Sequence, residues 1–399
     1  MTVTVIGGGA AGMVAALTAA RRGHRVLLLE RQSRVGRKLL STGNGRCNLT
    51  NHRADTEPTH YHGADPAFVL PALRRFGVAD TLRWFSELGL MTAEEPDGRI
   101  YPRSNMAGSV LDVLRYALDR EKIELHTGCA AEHISVKDHH FTVLAGTSVF
   151  HSDAVILAAG GAAGGKVGGV RDGYTLSEEL GHRTTALHPS LVQIKTDPTY
   201  PRALKGVKAE AALRLLRGEK LLAEGGGEVL FTEYGVSGPA IFDLSRAVSG
   251  ADLTLELDLL PELHENDTFA WLCARRTAMG EQEAQTLLTG ALHARLGQII
   301  CKASGFTSQI IRGLTDADLR RIARTAHRFS LPVTGVCGFD QAQVTAGGLR
   351  TDEFDPQTLQ SRLVPGFYAC GEVLDVDGDC GGYNLQWAWS SGRLAGMLE

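Results

Sequence analysis

Val3-Thr4-Val5-Ile6-Gly7-Gly8-Gly9-Ala10-Ala11-Gly12 opens the chain as an apolar strand running into a GxGxxG turn, and Glu30 follows Gly12 by eighteen residues. Each residue type has a task in a dinucleotide-binding unit. Gly7 allows the tight turn, Gly9 lets backbone approach a pyrophosphate, Gly12 lets the next helix pack on the strand, and Glu30 can accept from a ribose hydroxyl. A pyrophosphate belongs at that helix start, where the N–H groups of Ala10, Ala11 and Gly12 and the helix dipole favour an anion by roughly 0.3–1 kcal/mol. Gly-rich turns also close ordinary strand–helix units. Here the apolar strand, the Ala-rich helix from Met13 to Ala20, the second strand from Arg25 to Leu29 and its terminal acid all agree.

The segment beyond Glu30 and Arg31 decides which dinucleotide fits. A plain NAD domain continues into another helix, whereas Val35 to Thr50 reads VGRKLLSTGNGRCNLT. That is too polar for an ordinary crossover helix. Its glycines, Gly45 among them, let backbone approach a ligand, Arg37, Lys38 and Arg46 can meet phosphates, and Asn44 and Asn48 can meet a polar ring edge. Leu39 and Cys47 lie in the same stretch. The alternative is a solvated loop.

The far end supplies the other half of a long site. Gly366 to Glu372 reads as a buried strand ending in the pair Gly371-Glu372, and Gly381-Gly382 opens a final helix with Tyr383, Asn384 and Leu385. FAD is long enough to need both ends of a chain. The N–H groups after Gly382 would face the pyrimidine edge of an isoalloxazine, where negative charge accumulates on two-electron reduction. Asp375, Asp377 and Asp379 lack the glycine and distant glutamate of a calcium loop, so no metal is expected, and Asp377 is counted with the cofactor residues. The apolar run Ala154 to Ala158 ends in Ala159, Gly160 and Gly161, as expected where the chain passes a cofactor, and Ala131 would offer backbone to adenine.

The segments from Val3 to Gly12, Gly36 to Asn51, Phe231 to Pro239, Thr345 to Leu349 and Gly371 to Gly392 resemble the BaiN/YhiN-type bacterial flavoproteins, labelled NAD(P)/FAD-dependent oxidoreductase or aminoacetone oxidase family. The blocks GNGRCN and CGGYNLQW are the most specific. The resemblance spans the chain. It implies an α/β fold, a Rossmann-like FAD-binding domain of the glutathione-reductase type, split by an inserted β-barrel domain and a small helical bundle. The stretch Gly160 to Gly173 departs from the family, which carries hydroxyl, aromatic and proline residues there.

The coarse pattern agrees with that split. Residues 1–190 and 342–399 are expected to form the FAD-binding domain, 191–258 and 332–341 the barrel, and 259–331 the helices. Pro71 to Leu88 and Gly108 to Leu118 read as helical, a helix from Gly238 to Val248 follows a Ser237 cap, and Asp316 to Arg328 starts from Thr315 with Asp318 three residues on. At 399 residues, 43% hydrophobic and 22% charged, the chain can bury two or three cores. A net charge of −4 gives no global pull toward nucleic acid or anionic membrane. No stretch approaches the roughly 18 apolar residues of a membrane span, and no basic leader precedes the first strand, so a cytoplasmic location is expected. Seven scattered cysteines without CxxC indicate neither a disulfide framework nor zinc.

Few residues near the ring can do chemistry. Cys47 and Cys380 lie in the segments expected to flank the isoalloxazine, where a thiol could protonate a substrate carbon; inert packing is the alternative. Tyr101, Arg103 and His188 are further candidates as proton donor or anion clamp, or as structural residues. Glu233 and Tyr234 sit in a loop whose family counterpart faces the flavin. Nothing in the insertion repeats the strand, GxGxxG, helix and acid, so NAD(P)H, if it reduces this flavin, does so at a transient site.

Three functions are compatible with these features. The favoured one is a small-molecule oxidoreductase with non-covalent FAD, moving hydride between substrate and flavin N5. The second is an RNA-modifying flavoenzyme reducing uridine in ribosomal RNA, an activity linked to relatives. Its support here is the basic stretch from Arg202 to Lys220 and Arg320, Arg321, Arg324 and Arg328, whose spacing of three to four could form a phosphate track on one helical face. The third is a non-catalytic flavoprotein.

Overall fold

The computed structural model describes residues 1–398, which divide into two compact units, Met1–Pro189 with Phe339–Glu399, and Ser190–Gly338. The first unit is built on a five-stranded sheet in the order Phe367–Ala369, Ala154–Leu157, Thr2–Ile6, Arg25–Glu30, Glu124–Thr127. Every neighbouring pair is parallel, with Val3 opposite both Ala154 and Val26. Four of the strands are largely apolar and buried, as a sheet covered on both sides requires, while the edge strand Glu124–Thr127 is mostly exposed.

The helix Ala10–Arg21 covers one face, and nine of its residues are buried. Its alanines are small because the final helix Tyr383–Ala395 crosses it at backbone distance. A methyl added to Gly392 would lie 2.4 Å from the Ala11 carbonyl oxygen, and one added to Gly396 would lie 2.5 Å from that of Ala15. Two glycines four residues apart thus meet two alanines four residues apart. An antiparallel ribbon, His133–Lys137, His140–Ala145 and Ser148–Ser152, a small sheet, Thr50–Asn51, Arg99–Pro102 and Thr92–Glu94, and the helix Ala107–Arg120 also belong to this unit.

The helix expected over Pro71 to Leu88 is two helices, Leu70–Arg75 and Val78–Glu87, broken at Phe76 and Gly77. The break is held from outside, since the carboxylate of Asp55 takes the Val78 N–H at 2.7 Å.

The second unit is a closed six-stranded barrel in the order Ile194–Thr196, Gly235–Ser237, Lys220–Phe231, Lys208–Arg217, Leu253–Asp258, Phe329–Val336. Leu253, Leu255 and Leu257 alternate inward, as period-two patterning demands. The helices Glu265–Ala278, Ala294–Ala303 and Asp316–His327 share this unit's apolar core. The last carries the expected capping box of Thr315 and Asp318. It ends at His327, so Arg328 lies beyond it, and the final barrel strand starts at Phe329, three residues before Pro332. The helix after the short strand Gly235–Ser237 spans Pro239–Ser245 and is not capped by Ser237; its cap position is Gly238 at φ +117°, where the turn needs the left-handed region.

Candidate functional site

The first strand ends in a turn that the packing restricts to glycine. Gly7 donates to the Leu29 carbonyl at 2.8 Å. A methyl on Gly7 would lie 2.4 Å from the Ala158 oxygen, and one on Gly12 would lie 1.8 Å from the Gly7 oxygen. Gly9 is different. A methyl there meets nothing within 4 Å, so the protein itself leaves that space empty. The first intrahelical bond is Met13 N–H to Gly9 carbonyl at 3.0 Å, which leaves the N–H groups of Ala10, Ala11 and Gly12 ahead of it. Glu30 is buried at the end of the second strand, accepting from Gly8 N–H at 2.9 Å and Gln32 N–H at 2.7 Å. Cys129 N–H bonds the Glu30 carbonyl at 2.9 Å, bringing buried Ala131 to the same strand end.

A second wall joins four distant segments. The short helix Arg37–Ser41 follows Gly36, and Leu39 is buried beneath it. Lys38 Nζ bonds Glu372 Oε2 at 2.6 Å, Glu372 Oε1 accepts Thr345 N–H at 2.9 Å, and Thr345 Oγ1 accepts Ala163 N–H at 2.9 Å. Gly161 sits against Thr345 and Glu372, while Gly160 beside Ala159 opens onto space. Gly371 packs on Ala11 and is fixed by Ser391 Oγ, which takes its N–H at 2.9 Å, and by Trp387 Nε1, which donates to its carbonyl at 3.1 Å. Arg37 bonds Gln32 at 2.6 Å and Arg31 pairs with Asp172 at 2.6 Å, both at the surface of this wall.

The third wall is the turn Thr42–Gly45, with Gly43 and Asn44 left-handed, set against the start of the final helix. Asn48 Oδ1 is buried with no hydrogen-bond partner. A methyl on Gly382 would lie 3.0 Å from that oxygen and 2.5 Å from the Thr50 carbonyl carbon. Asn51 Nδ2 donates to the Gly381 carbonyl at 3.0 Å and Trp389 Nε1 to the Leu49 carbonyl at 2.8 Å, locking the two segments together. The helix's first bond is Gln386 N–H to Gly382 carbonyl at 3.0 Å, so the N–H groups of Tyr383, Asn384 and Leu385 precede it. The Asn384 side chain holds the Gly378 backbone at 2.8 and 2.6 Å, and Asp377 is buried on the strand pair with Tyr61 and His62. Asn44 and Gly45 are exposed. Arg46, expected at a phosphate, is instead held by Glu95 at 2.5 Å and Asn105 at 2.9 Å and stacks 4.0 Å over Tyr101.

The candidate catalytic groups fall into different surroundings. The Cys47 thiol is wholly buried, and burial pushes it up to about 12 against an opposing bond to Thr42, so it is neutral at physiological pH. Cys380 is half-buried and adjoins the Gly381–Gly382 turn. Tyr101 is buried and its phenol raised by burial. Arg103 and His188 are exposed, and His188 begins the short strand His188–Ser190, which pairs with Val344–Ala346 and so adjoins Thr345 of the second wall. In the second unit, Glu233 pairs with Lys205 at 2.9 Å, and burial raises the Tyr234 phenol.

Sequence reasoning passed over Thr345, although its block was conspicuous, and it passed over Tyr174, whose buried hydroxyl has no partner. It weighed Asp379 only as a calcium ligand and did not foresee its bonds to His60 at 2.8 Å and His62 at 2.6 Å. The histidines stand outside any motif, and only the fold brings them to Asp379.

The three walls fit FAD. The open space at Gly9 and the N–H groups ahead of Met13 suit a pyrophosphate, Glu30 a ribose, and the bare Asn48 oxygen beside the final helix's N–H groups suits a ring edge that offers both N–H and carbonyl.

A family model described as HI0933-like protein Rossmann domain matches residues 1–398. The chain is 39% identical to 3-dehydro-bile acid delta(4,6)-reductase of Clostridium scindens, over 99% of this chain and 98% of that one. It is 28% identical to a ribosomal RNA dihydrouridine synthase of Haemophilus influenzae, over 97% and 95% respectively. Of solved structures, a 3-ketosteroid-delta4-(5alpha)-dehydrogenase from Rhodococcus jostii shares the fold at a TM-score of 0.53 and 16% identity, over 99% of this chain and 95% of that one.

Proposed function

The chain belongs to the HI0933-like Rossmann family and is an FAD-dependent oxidoreductase; from that premise we propose that it reduces a carbon–carbon double bond conjugated to a carbonyl in a small molecule. The relative at 39% identity over nearly the whole of both chains carries this reading. Delta(4,6) reduction of a 3-dehydro bile acid and conversion of uridine to dihydrouridine both add hydrogen across such a bond. The family resemblance and the bile-acid activity together favour a small substrate.

Bound non-covalently, FAD supplies the hydride at N5. Residues of this chain do the rest. The N–H groups of Ala10 to Gly12 hold the pyrophosphate, Glu30 the ribose, and Asn48 with the N–H groups of Tyr383 to Leu385 the ring edge. Lys38, Glu372 and Thr345 brace the wall that carries Gly160 and Gly161. Of the thiols, Cys380 is the better proton donor, being part-exposed at the turn that starts the final helix, whereas Cys47 has no exposed surface. NAD(P)H serves as reductant at a site without a second dinucleotide fingerprint.

Anaerobic bleaching of the flavin by NADH or NADPH, followed by reoxidation with a 3-oxo-4,6-diene steroid acid, tests this. The expected product is two hydrogens heavier. Bleaching by the saturated ketone instead, with none by nicotinamide, would show a dehydrogenase.

A second reading, uridine reduction in ribosomal RNA, is favoured by the 28% relative. The basic residues that would support it are largely engaged. Lys208 pairs with Glu228 at 2.9 Å, Arg214 with Glu256 at 3.2 Å and Arg321 with Asp318 at 2.9 Å.

A further inference from the structure

A cavity of about 490 Å³ is lined by the helix Val78–Glu87 and by the last turns of Tyr383–Ala395. That volume is in the range of small-molecule sites. Arg393 stands ten residues after Tyr383 on the final helix, about 15 Å at 1.5 Å per residue, so the cavity is separate from the cofactor walls.

Its floor is apolar, with Phe76, Trp84 and Leu394 all buried. Trp84 Nε1 is buried without a hydrogen-bond partner. Arg75, Arg83 and Arg393 contribute guanidinium groups, and Asp80 and Glu87 are the acids on the wall. Asp80 is committed to Arg83 at 2.9 Å and to the Gly77 N–H.

Arg393 is the unbalanced charge. Among the described residues it makes no ion pair; its contacts are the Thr18 hydroxyl at 3.3 Å and the Phe76 ring at 5.7 Å. Burial, then the nearby Arg21 and Arg22, pull its pKa down, with only Glu87 opposing. The negative end of the helix dipole explains why a cation is tolerated in a last turn. It does not account for a guanidinium left at the edge of a cavity with an apolar floor. A cation held among cations, half out of water, gains most from an incoming anion.

We propose that this cavity binds a small amphipathic carboxylate, with its apolar body on Phe76, Trp84 and Leu394 and its carboxylate on Arg393, flanked by Arg83. The two wall acids favour a monoanion over a phosphate dianion, and the floor requires an apolar body.

Calorimetric titration of the flavin-loaded enzyme with decanoate, decanol and inorganic phosphate tests the assignment. Saturable binding of decanoate is expected, at least tenfold tighter than of decanol or phosphate. Arg393→Met should weaken it at least tenfold and Arg83→Met several-fold, both with unchanged flavin content. Removing an unpaired cation should not lower the melting temperature; if Arg393→Met nonetheless fails to fold, Arg83→Met on the exposed rim decides. Absence of decanoate binding, equal affinity for decanol or phosphate, or unaltered affinity in a folded Arg393→Met variant would overturn the proposal.

Discussion

Lys38 Nζ lies 2.6 Å from Glu372 Oε2, an ion pair between residues 334 positions apart. The same carboxylate takes the Thr345 N–H on its other oxygen, so one acid ties the second wall together. Both side chains are mostly shielded, 30% and 20% exposed, so the pair sits between the surface and buried cases. Lys38→Met should cost about 1–2 kcal/mol of stability. FAD affinity should fall with it by tenfold or more, because Gly161 is packed against the same carboxylate. Thermal unfolding with and without added FAD measures both; a variant that loses stability yet binds FAD as before would remove the pair from the cofactor wall.

Gly9 offers a sharper separation of fold from function. A methyl at this position meets nothing within 4 Å, and its φ of −80° is ordinary for any residue. Gly9→Val should therefore leave the apoprotein's melting temperature within about 2 °C, since surface changes without a named mechanism fall within roughly 0.5 kcal/mol. The isopropyl group would occupy the space assigned to the pyrophosphate, and the variant should purify colourless. Full flavin content in Gly9→Val would place the phosphates elsewhere.

How far the sequence could be read depended on the range of the interactions involved. The first strand, turn and helix are local, and GxGxxG with an apolar run specifies them. Leu253 to Asp258 alternates as a half-buried strand must, and Thr315 with Asp318 marks a helix start by bonds three residues long. The break at Phe76 and Gly77 is different, because the acid that stabilises it, Asp55, stands 23 residues before Val78. Arg46 looked like a phosphate ligand because guanidinium fits phosphate; Glu95, 49 positions away, takes it instead. The meeting of Asn48 with Gly382 and of Lys38 with Glu372 is tertiary throughout, so composition and spacing could nominate these residues but not join them.

Cys47 links burial to alkaline stability. Its folded pKa of about 12 exceeds the ordinary 9.0, so between these values the native state holds a proton that the unfolded state releases. Stability is therefore fully present below pH 9 and lost progressively above it, by up to roughly 4 kcal/mol for a shift of this size. Urea midpoints from pH 7 to 10.5 should fall less steeply in Cys47→Ala than in the natural chain. Rapid alkylation of Cys47 by iodoacetamide in the native protein at pH 8 would contradict its burial.

Ser361, His182 and Glu353 form a chain that resembles a hydrolase triad, with Ser361 Oγ 2.9 Å from His182 Nε2 and His182 Nδ1 3.1 Å from Glu353 Oε2. All three are buried, and Ser361 Oγ accepts the N–H groups of Leu363 at 3.0 Å and Val364 at 2.8 Å, which ties up its lone pairs. The role is structural. Burial lowers the His182 pKa below 6.5 despite Glu353, so the unfolded state binds a proton first and stability falls as pH drops below about 6.5. His182→Phe, able to stack on Phe354 as the imidazole does, should flatten that acid limb. Labelling of native Ser361 by a fluorophosphonate would refute the structural assignment.

The pairing of the second unit's basic residues makes the salt dependence of RNA binding decisive between the two substrate classes. Each phosphate neutralised adds about 0.7 to 0.9 to the slope of log affinity against log salt. Lys205, Lys208, Arg214, Arg321 and Arg324 each have a carboxylate partner, at 2.9, 2.9, 3.2, 2.9 and 3.6 Å, and Arg320 lies over Phe269. Each of these paired cations must give up its carboxylate partner before it can neutralise a phosphate, so few phosphate contacts are expected. Anisotropy titrations with a ribosomal RNA hairpin from 50 to 300 mM salt should give a slope shallower than about −2, matching two or three phosphate contacts at most. A slope of about −5 or steeper would mean that these ion pairs open onto RNA, and would move uridine ahead of small enones as the substrate to test.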